Sequence, residues 1–355
     1  MPERVAVIGA QSLLGTHLIR ALEEDTNWEM SLWTPQSKLD AENNNDRCKF
    51  FCGDSELSAA VKSCGIAVCL HELQDLSAAP NVDDLKRTNV DFVERLTKCC
   101  QEAHVQRFIL ISSYFVQCSR RWPNIYSREL DAGKFANDAP FPEYVRSKVL
   151  AEEIVSKPTS MQTLVARTGP LYGEGDTKSI VCDMIKTLDS NNTVTFYSDK
   201  DGVIQMTYAG NAAYGILKAL KKMLEETKTV PNETLLILDN TPIRNCRYLL
   251  KDMICDERME STTEVTFLFW YCIHCIMAFL LSFVPSLGAT YPSPDWFLMY
   301  FYHWTFFSDF KSSIFLQYKP KFSYEEAKRR SSEYYKNLSS EKITCYSWEG
   351  FVESC

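Results

Sequence analysis

The sequence contains no long run of lysine and arginine, and its net charge is −8, from 38 basic and 46 acidic residues. A nucleic-acid-binding surface needs clustered positive charge, so we expect no nucleic-acid partner. Internal repeats and low-complexity tracts are also lacking, and 45% of the 355 residues are hydrophobic. This composition excludes a disordered or fibrous chain and indicates two globular domains, or one large α/β domain with insertions.

Metal-binding signatures are lacking too, since the 14 cysteines include no two C-x-x-C pairs at the spacing of a zinc site. Cysteines scattered in this way are typical of a reducing compartment, where they fill cores as small apolar side chains. Four residues precede the apolar run Val5–Ile8, which is too few for a signal peptide. We therefore expect no metal site and no secretory leader.

Short apolar runs alternate with segments of helical periodicity over roughly the first 170 residues. Such alternation predicts a doubly wound parallel sheet that is covered by helices on both faces. The predicted strands are Val5–Ile8, Met30–Trp33, Lys49–Cys52, Ile66–Leu70, Arg107–Ile111 and Leu164–Arg167. The predicted helices between them are Leu13–Glu24, Asn89–Ala103 and Glu143–Val155.

A glycine-containing turn connects the first predicted strand to the first helix. Its spacing fits G-x-x-G-x-x-G, with Gly9 and Gly15 in place and Ser12 at the middle position. Backbone N–H groups at the start of such a helix can hold a pyrophosphate. The turn predicts dinucleotide binding through Gly9, Ser12, Leu14 and Gly15, and the alternative is a β-turn-α unit whose glycines serve packing only.

The residues that would select between NAD and NADP give no clear preference. Thr34 ends the second strand, where an acidic residue would bind the ribose hydroxyls of NAD, and Asp40 and Glu42 follow. No arginine lies nearby for a 2′-phosphate. Asp54, which follows the third strand, is a candidate for the adenine amino group, or is an exposed loop residue.

Three residues form a candidate catalytic group. Tyr144 and Lys148 lie four residues apart on a predicted helix, so they share one face. A nearby ammonium lowers the pKa of a phenol, and we expect Tyr144 to exchange a proton with a substrate oxygen. We also expect Tyr144 and Lys148 to contact the cofactor, with Lys148 holding the nicotinamide ribose. Ser113 follows a predicted strand and can orient that oxygen, while its neighbour Ser112 competes for the role.

These motifs resemble the 3β-hydroxysteroid dehydrogenase/isomerase family of the extended short-chain dehydrogenases, which have the Rossmann fold. The resemblance covers nearly the whole chain. It implies NAD-dependent oxidation of a steroid 3β-hydroxyl group, in some members followed by a Δ5-to-Δ4 double-bond shift. The matching segments are the turn at 9–15, Gly53-Asp54, Asn89-Val90, the run 108–113, Tyr144–Lys148, Arg167, 171–175, 208–213, 239–242, Tyr318-Lys319-Pro320 and 323–327.

The sequence departs from the family pattern at several site positions. Ser12 replaces a glycine, Thr34 an aspartate, and Glu72 a small residue close to the expected nicotinamide path. Thr168 replaces a proline, and Asn240 stands where isomerising members carry the second of two aspartates, so we expect weak or absent isomerase activity. Three alternatives stay open: a 4-methylsterol decarboxylating dehydrogenase, a sugar-nucleotide epimerase, and a catalytically weakened cofactor-binding scaffold.

Charge is nearly lacking in one segment towards the C-terminus. Phe267–Phe310 contains 16 of the chain's 44 aromatic residues, and Asp295 and Asp309 are its only charged side chains. Val265–Val284 provides 20 uncharged residues, about the length of a membrane-spanning helix. Trp296–Ser308 offers only 13 and suits a membrane interface better.

We predict that this segment is a monotopic membrane anchor, with apolar helices that lie in one leaflet. A single span would separate the tail Lys311–Cys355 from the catalytic domain, although this tail resembles a family segment that packs with that domain. The alternative is a buried helix pair that lines the steroid pocket. The resemblance implies the cytosolic face of the endoplasmic reticulum, or a mitochondrial membrane, and leaves a homodimer open.

The predicted organisation has four parts. Residues 1–170 form the dinucleotide-binding core, 171–264 a substrate region interleaved with it, 265–310 the membrane-associated segment and 311–355 a helical tail.

Overall fold

The computed structural model has a seven-stranded parallel sheet at its centre. It describes residues 3–36, 46–126, 128–157, 160–191, 194–197, 202–225, 232–255, 259 and 262–343. The large sheet has the strand order β11-β7-β5-β4-β1-β2-β3, and all neighbouring strands in it are parallel. The predicted doubly wound sheet is therefore confirmed. The strands are β1 (Arg4–Ile8), β2 (Glu29–Thr34), β3 (Cys48–Cys52), β4 (Ile66–Cys69), β5 (Arg107–Ser113), β6 (Asn124–Tyr126), β7 (Gln162–Thr168), β8 (Leu171–Tyr172), β9 (Val194–Tyr197), β10 (Thr207–Tyr208), β11 (Glu233–Ile237), β12 (Thr262–Val265) and β13 (Thr305–Phe307).

Helices cover both faces of this sheet and continue beyond it. The α-helices are α1 (Leu13–Asp25), α2 (Leu57–Val61), α3 (Val82–Leu85), α4 (Phe92–Glu102), α5 (Pro142–Ser156), α6 (Ile180–Asn191), α7 (Ala209–Glu225), α8 (Cys246–Ile254), α9 (Phe267–Leu281), α10 (Pro285–Gly288), α11 (Pro294–Phe297), α12 (Phe310–Phe315) and α13 (Tyr324–Lys336). Lys86–Asp91 has π-helical geometry and connects α3 to α4, so the predicted helix at Asn89 starts earlier than the sequence indicated.

The alternation of side chains along β1 divides the core into two layers. Val5 and Val7 pack with the apolar faces of α1 and α7, whereas Ala6 and Ile8 pack with α2 and α4 on the opposite side. All four side chains are fully buried. A strand that is covered on both faces needs a continuous apolar run, which is why the sequence at β1 does not alternate with polar residues.

A buried ion pair connects β7 to α5. Arg167 donates to Glu152 through Nε (3.0 Å) and Nη2 (2.7 Å), and its Nη1 donates to Gln117 Oε1 at 2.7 Å and to the carbonyl oxygen of Leu130 at 2.6 Å. Both charged side chains are almost fully buried. These contacts fix the position of α5 against the sheet.

The C-terminal helix α13 packs on the part of the chain that follows β8. Tyr335 Oη donates to Asp176 Oδ2 at 2.6 Å, and the backbone N–H of Gly173 donates to Tyr335 Oη. Ser323 caps α13 by accepting from the backbone N–H of Glu326. The tail therefore contributes to the wall of the same globular body as the sheet.

The aromatic segment divides into an exposed part and a buried part. Helix α9 has 15 residues, which is about 22 Å at 1.5 Å per residue. Seven of its side chains are exposed and three are buried. The 20-residue uncharged stretch is not one helix, because its first residue, Val265, ends β12. None of the helices in the described ranges combines the length and the hydrophobicity that crossing a bilayer requires.

The expectation of an interfacial Trp296–Ser308 is corrected by the structure. Trp296–Phe301 is buried, and the side chains from Tyr302 to Phe307 alternate between exposed and buried. Trp296 and Phe297 belong to the same core cluster as residues of α5 and α8. The aromatic side chains of Trp296–Phe301 therefore serve core packing.

The buried ion pair generates the first prediction. Glu152→Gln should lower the free energy of unfolding by about 3–5 kcal/mol, because it leaves the Arg167 guanidinium buried with only neutral partners. Urea unfolding followed by circular dichroism measures this change. The neighbouring Glu153 is exposed, so Glu153→Gln is the matched control and should change stability by less than about 0.5 kcal/mol. Equal effects of the two substitutions would contradict the prediction.

Candidate active site

The candidate site lies at the carboxyl edge of the sheet, where the strand order reverses between β1 and β4. Loops leave these two strands in opposite directions, which opens a crevice in doubly wound folds. A cleft of about 1010 Å³ occupies this place. Its wall includes Gly9 after β1, Glu72 after β4, Ser113 at the end of β5 and Tyr144 on α5.

The turn after β1 is as tight as its sequence predicts. Gly9 has φ +93°, and a Cβ atom there would lie 2.6 Å from the backbone nitrogen of His71. A Cβ atom on Gly15 would lie 2.5 Å from the carbonyl oxygen of Gly9. Both glycines are therefore required by close backbone packing, and Gly15 acts in the turn itself rather than on the wall of the cleft.

Ser12 has a structural role that the sequence reading did not include. It is the N-cap of α1, and its Oγ accepts from the backbone N–H of Gly15 at 3.0 Å. One of the free N–H groups at the start of the helix is thus already satisfied. Ser12 and Leu14 both line the cleft, in agreement with their predicted proximity to a cofactor.

The predicted adenine end of the site is less complete. Asp54 is 70% exposed and forms an ion pair with Arg95 at 3.1 Å, so it is held at the rim by a partner of its own. Thr34 is buried, whereas the following Pro35 lines the cleft. Asp40 and Glu42 lie outside the described residues.

The cleft has the features that a dinucleotide needs. Gly9, Ser12 and Leu14 form one wall, and the close packing at Gly9 brings backbone rather than side chain to the surface. Ser112 also lines the cleft, and its Oγ is buried without a hydrogen-bond partner among the described residues. The volume of the cleft lies at the upper end of the roughly 300–1,000 Å³ that is usual for cofactor sites.

The three predicted catalytic residues do converge. The hydroxyl groups of Ser113 and Tyr144 form a hydrogen bond, so Ser113 rather than Ser112 faces the tyrosine. Lys148 Nζ donates to the carbonyl oxygen of Ile111 at 2.9 Å, which joins α5 to β5. The start of α5 is fixed by Asp295, whose Oδ2 accepts from the backbone N–H of Phe141 at 2.9 Å.

Glu72 is a fourth charged or polar member of this group. Its Oε2 accepts from Lys148 Nζ at 2.6 Å and from Tyr144 Oη at 3.4 Å. The Glu72 side chain is 36% exposed, while that of Lys148 is 3% exposed. In the sequence, Glu72 was visible only as a departure from the family pattern, and its contacts come from the fold.

This carboxylate corrects the expectation about Tyr144. Burial raises the pKa of the Tyr144 phenol well above its ordinary value, and the Glu72 carboxylate raises it further, although the hydrogen bond from Ser113 opposes the shift. The Lys148 ammonium was expected to lower the pKa of Tyr144. Burial and the neighbouring Glu72 carboxylate therefore keep the tyrosine a neutral phenol.

Asn89 is the site residue whose role the sequence reading missed. Its Nδ2 donates to the carbonyl oxygen of Leu73 (2.9 Å) and to Ser147 Oγ (2.8 Å), and its Oδ1 accepts from the backbone N–H of Leu73 (2.8 Å). Asn89 thus ties the loop that carries Glu72 to α5. It was noted only as part of the family resemblance, and only the tertiary contacts reveal this task.

Two negative expectations concern metal binding and the isomerase loop. Within the part of the chain that the structure describes, no group of three or more His, Cys, Asp or Glu side chains is arranged to hold a metal ion.

Asp239 accepts from the backbone N–H groups of Tyr208 and Thr241 and from Asn211 Nδ2, each at 3.0 Å. Its carboxylate therefore stabilises the loop before α8 and the start of α7.

Comparisons with known proteins agree with this geometry. A sterol-4-alpha-carboxylate 3-dehydrogenase (decarboxylating) of Schizosaccharomyces pombe is 25% identical over 257 residues, which cover 68% of this chain and 72% of that protein. The corresponding enzyme of Saccharomyces cerevisiae is 24% identical over 265 residues, with the same two coverages.

Solved structures of the same fold cover nearly the whole chain. UDP-glucuronic acid 4-epimerase from Bacillus cereus, in complex with UDP-glucuronic acid and NAD, superposes with a TM-score of 0.69 at 16% identity, covering 95% of this chain and all of that one. A dTDP-glucose 4,6-dehydratase from Streptomyces venezuelae gives 0.69 at 15% identity, covering 94% and 97%. At these identities the likeness establishes the fold alone.

A family model gives more specific information than the fold. The model of the 3-beta hydroxysteroid dehydrogenase/isomerase family matches residues 6–267, a range that includes the glycine turn, Ser113, Tyr144 and Lys148. The chain belongs to the 3-beta hydroxysteroid dehydrogenase/isomerase family.

Proposed function

We propose that this protein is an NAD-dependent dehydrogenase that oxidises the 3β-hydroxyl group of a steroid or sterol. The observation that carries the proposal is the convergence of Ser113, Tyr144 and Lys148 beside a cleft whose other wall is the Gly9 turn. Family membership supports a steroid substrate, and the yeast relatives are named as sterol 3-dehydrogenases. The epimerase and dehydratase neighbours were solved with NAD.

The residues around the cleft divide the work of binding and chemistry. Gly9, Ser12 and Leu14 would hold the dinucleotide, which supplies a hydride acceptor when it is bound in its oxidised form. Ser113 would orient the substrate oxygen, and Tyr144 would take the hydroxyl proton. Lys148 holds Glu72 and connects α5, which carries Tyr144, to the end of β5. NADP stays open as the cofactor, because Thr34 gives neither an acidic nor a basic group for the adenosine ribose.

Removal of the Tyr144 hydroxyl tests the chemistry. Tyr144→Phe should lower kcat for 3β-hydroxysterol oxidation by roughly 10²–10⁴-fold, because general acid–base catalysis contributes about that much. The dissociation constant of NADH, measured by fluorescence, should stay within about threefold because Gly9 and Leu14 are unchanged. Tyr126→Phe is the control, since that ring stacks on Phe307 away from the cleft. An unchanged kcat in Tyr144→Phe would reject the assignment, and an inactive wild type that still binds NADH would favour the scaffold alternative.

A second candidate substrate is a sterol 4-carboxylate, which the names of the two yeast relatives suggest. The charge of the cleft argues against it. Among the described residues that line the cleft, Lys178 is the only lysine or arginine, whereas five are acidic: Glu72, Asp75, Asp84, Asp176 and Asp183. Glu72 and Asp84 are paired with Lys148 and Arg87, so the repulsion of an anionic substrate would come from the other three carboxylates. A sugar nucleotide would bring a second diphosphate into the cleft beside the cofactor and would need basic groups for it, and Lys178 is the only lysine or arginine among the described lining residues.

We accordingly predict a preference for the neutral substrate. A neutral 3β-hydroxysterol should give a kcat/KM at least about tenfold higher than its 4α-carboxylate, since one unfavourable charge contact costs more than about 1.4 kcal/mol in a cleft of this kind. Reduced-cofactor absorbance measures both rates in detergent. The difference should diminish as salt rises. A faster reaction with the carboxylate, with release of carbon dioxide, would replace the first candidate by the second.

Weak or absent Δ5-to-Δ4 isomerisation stays a prediction. An amide at Asn240 cannot take up a proton at neutral pH, and Asp239 is engaged in backbone contacts. The absorbance of a conjugated ketone during turnover tests this. Its appearance at the rate of dehydrogenation would contradict the prediction.

We also propose that the protein docks on one leaflet of a membrane, at the endoplasmic reticulum or a mitochondrion. Large apolar side chains are exposed together on α9, on α10 and between them: Leu268, Phe269, Ile276, Phe279, Leu280, Phe283, Val284 and Leu287, here called the apolar patch. A helix that is apolar all round yet exposed suits lipid rather than water. Ala289 and Thr290, which follow α10, line the cleft, so the patch adjoins the entrance for a sterol. A homodimer stays open.

Flotation with liposomes tests this docking. Phe279 and Phe283 are 64% and 70% exposed, and burying such a side chain contributes about 1.5–3 kcal/mol. Replacing both by serine should therefore weaken partitioning onto neutral vesicles roughly 100-fold or more. Tyr248→Ser, on α8 and similarly exposed, should have little effect.

Protease added outside sealed vesicles should cleave both the catalytic domain and Lys311–Cys355. Full binding by the double variant, or a protected tail, would refute the one-leaflet model.

A further inference from the structure

Glu72 occupies the junction between the buried catalytic residues and solvent. It follows β4 at the reversal of strand order and lines the cleft. Its Oε2 lies 2.6 Å from Lys148 Nζ and 3.4 Å from Tyr144 Oη. The lysine is almost fully buried, whereas about a third of the Glu72 side chain reaches solvent. A single carboxylate thus contacts the reacting phenol on one side and water on the other.

The position of this carboxylate is fixed by its surroundings. The backbone of the next residue, Leu73, is bound through both its N–H and its carbonyl group by Asn89, and Asn89 also donates to Ser147 on α5. The loop and the helix therefore hold Glu72 and Tyr144 at a set separation. Lys148 adds a third fixed point through its bond to the carbonyl oxygen of Ile111.

Oxidation of an alcohol releases a proton, and the surroundings of Tyr144 restrict where that proton can go. Tyr144 is a neutral phenol here, since its pKa is raised by burial and by Glu72. Tyr144 can accept the substrate proton only if it gives its own hydroxyl proton to another group. Lys148 is a donor with no free lone pair when charged, so it cannot take this proton.

The remaining titratable groups around the pair do not offer an equivalent acceptor. The ring of His71 packs edge-on against Trp33 and Phe92. Cys69 is a buried thiol at the end of β4, with a pKa raised to about 12 by burial. Tyr300, from the segment after α11, carries a phenol like that of Tyr144, and its contribution to the raised pKa of Tyr144 is smaller than that of Glu72. Glu72 is the carboxylate with the geometry to receive the proton.

We propose that Glu72 is a further catalytic residue that accepts the Tyr144 proton while Tyr144 accepts the proton of the substrate hydroxyl. The O–H bond of the alcohol breaks as a new Tyr144 O–H bond forms, and the old Tyr144 O–H bond breaks as a Glu72 O–H bond forms. The carbon that bears this hydroxyl group gives a hydride to the oxidised nicotinamide, so protons and electrons balance. Glu72 then releases its proton to solvent through its exposed side. The proposal rests on the dehydrogenase function argued above for this site.

The kinetic test compares the pH profiles of three proteins. Glu72→Gln keeps the size of the side chain but loses the proton acceptor, so kcat near pH 7 should fall roughly 100-fold. Activity should recover towards the wild-type rate near pH 10, because Tyr144 then ionises more readily beside an unpaired Lys148. Glu94→Gln, which removes an exposed carboxylate on α4, is the charge control and should match the wild type. An increase of kcat in Glu72→Gln would show that Glu72 inhibits the site and would overturn the relay. A kcat equal to that of the wild type, or a loss of kcat that is the same at pH 7 and pH 10, would also overturn it.

A second readout needs neither substrate nor cofactor. Tyrosine labelled with ¹³C at the ring carbon that bears oxygen reports phenol ionisation by NMR, and Tyr144→Phe assigns the Tyr144 signal. The midpoint of its titration should be lower by about one unit or more in Glu72→Gln than in the wild type. Equal midpoints would overturn the proposal even if turnover is never observed. Absence of turnover with every 3β-hydroxysterol, together with the expected NMR shift, would instead reject only the proposed substrate.

Discussion

The adjacency of β1 and β4 is the constraint on which the rest of the structure depends. The two central strands run in parallel and end at the same edge, but the chain leaves them towards opposite sides of the sheet. Gly9 meets the backbone of His71 so closely at this point that no Cβ atom could be accommodated. The same contact places the next residue, Glu72, in the wall of the cleft. The cofactor wall and the unusual carboxylate are thus two consequences of one backbone approach.

Electrostatics in the cleft follow from the burial of Lys148. A buried ammonium is costly unless it is paired, and here Glu72 and a backbone carbonyl group provide its partners. The Glu72 carboxylate also adds to the effect of burial in raising the pKa of Tyr144. One side chain thus satisfies the buried ammonium and helps to keep the tyrosine protonated. Both effects would be lost in a relative with a small residue in place of Glu72.

The aromatic C-terminal segment serves the site in two different ways. Its buried half supplies Trp296 and Tyr300 to the cleft and Asp295 to the start of α5. Its exposed half presents α9 and α10 outward. One continuous piece of chain thus joins the position of Tyr144 to an apolar outer surface.

The sequence by itself determined the features that depend on local spacing. Apolar runs and helical periods predicted the parallel sheet, the glycine turn predicted its tight connection, and the four-residue separation placed Tyr144 and Lys148 on one face. Contacts between distant segments could not be obtained in this way. Glu72 and Lys148 are 76 residues apart, and burial together with the Glu72 carboxylate raises the pKa of Tyr144 where a lowered one was expected. The burial of Trp296–Phe301 was likewise misjudged, because lipid and a protein core select the same aromatic side chains. Only the tertiary structure decided these points, since charge pairing and burial depend on which surfaces the fold brings together.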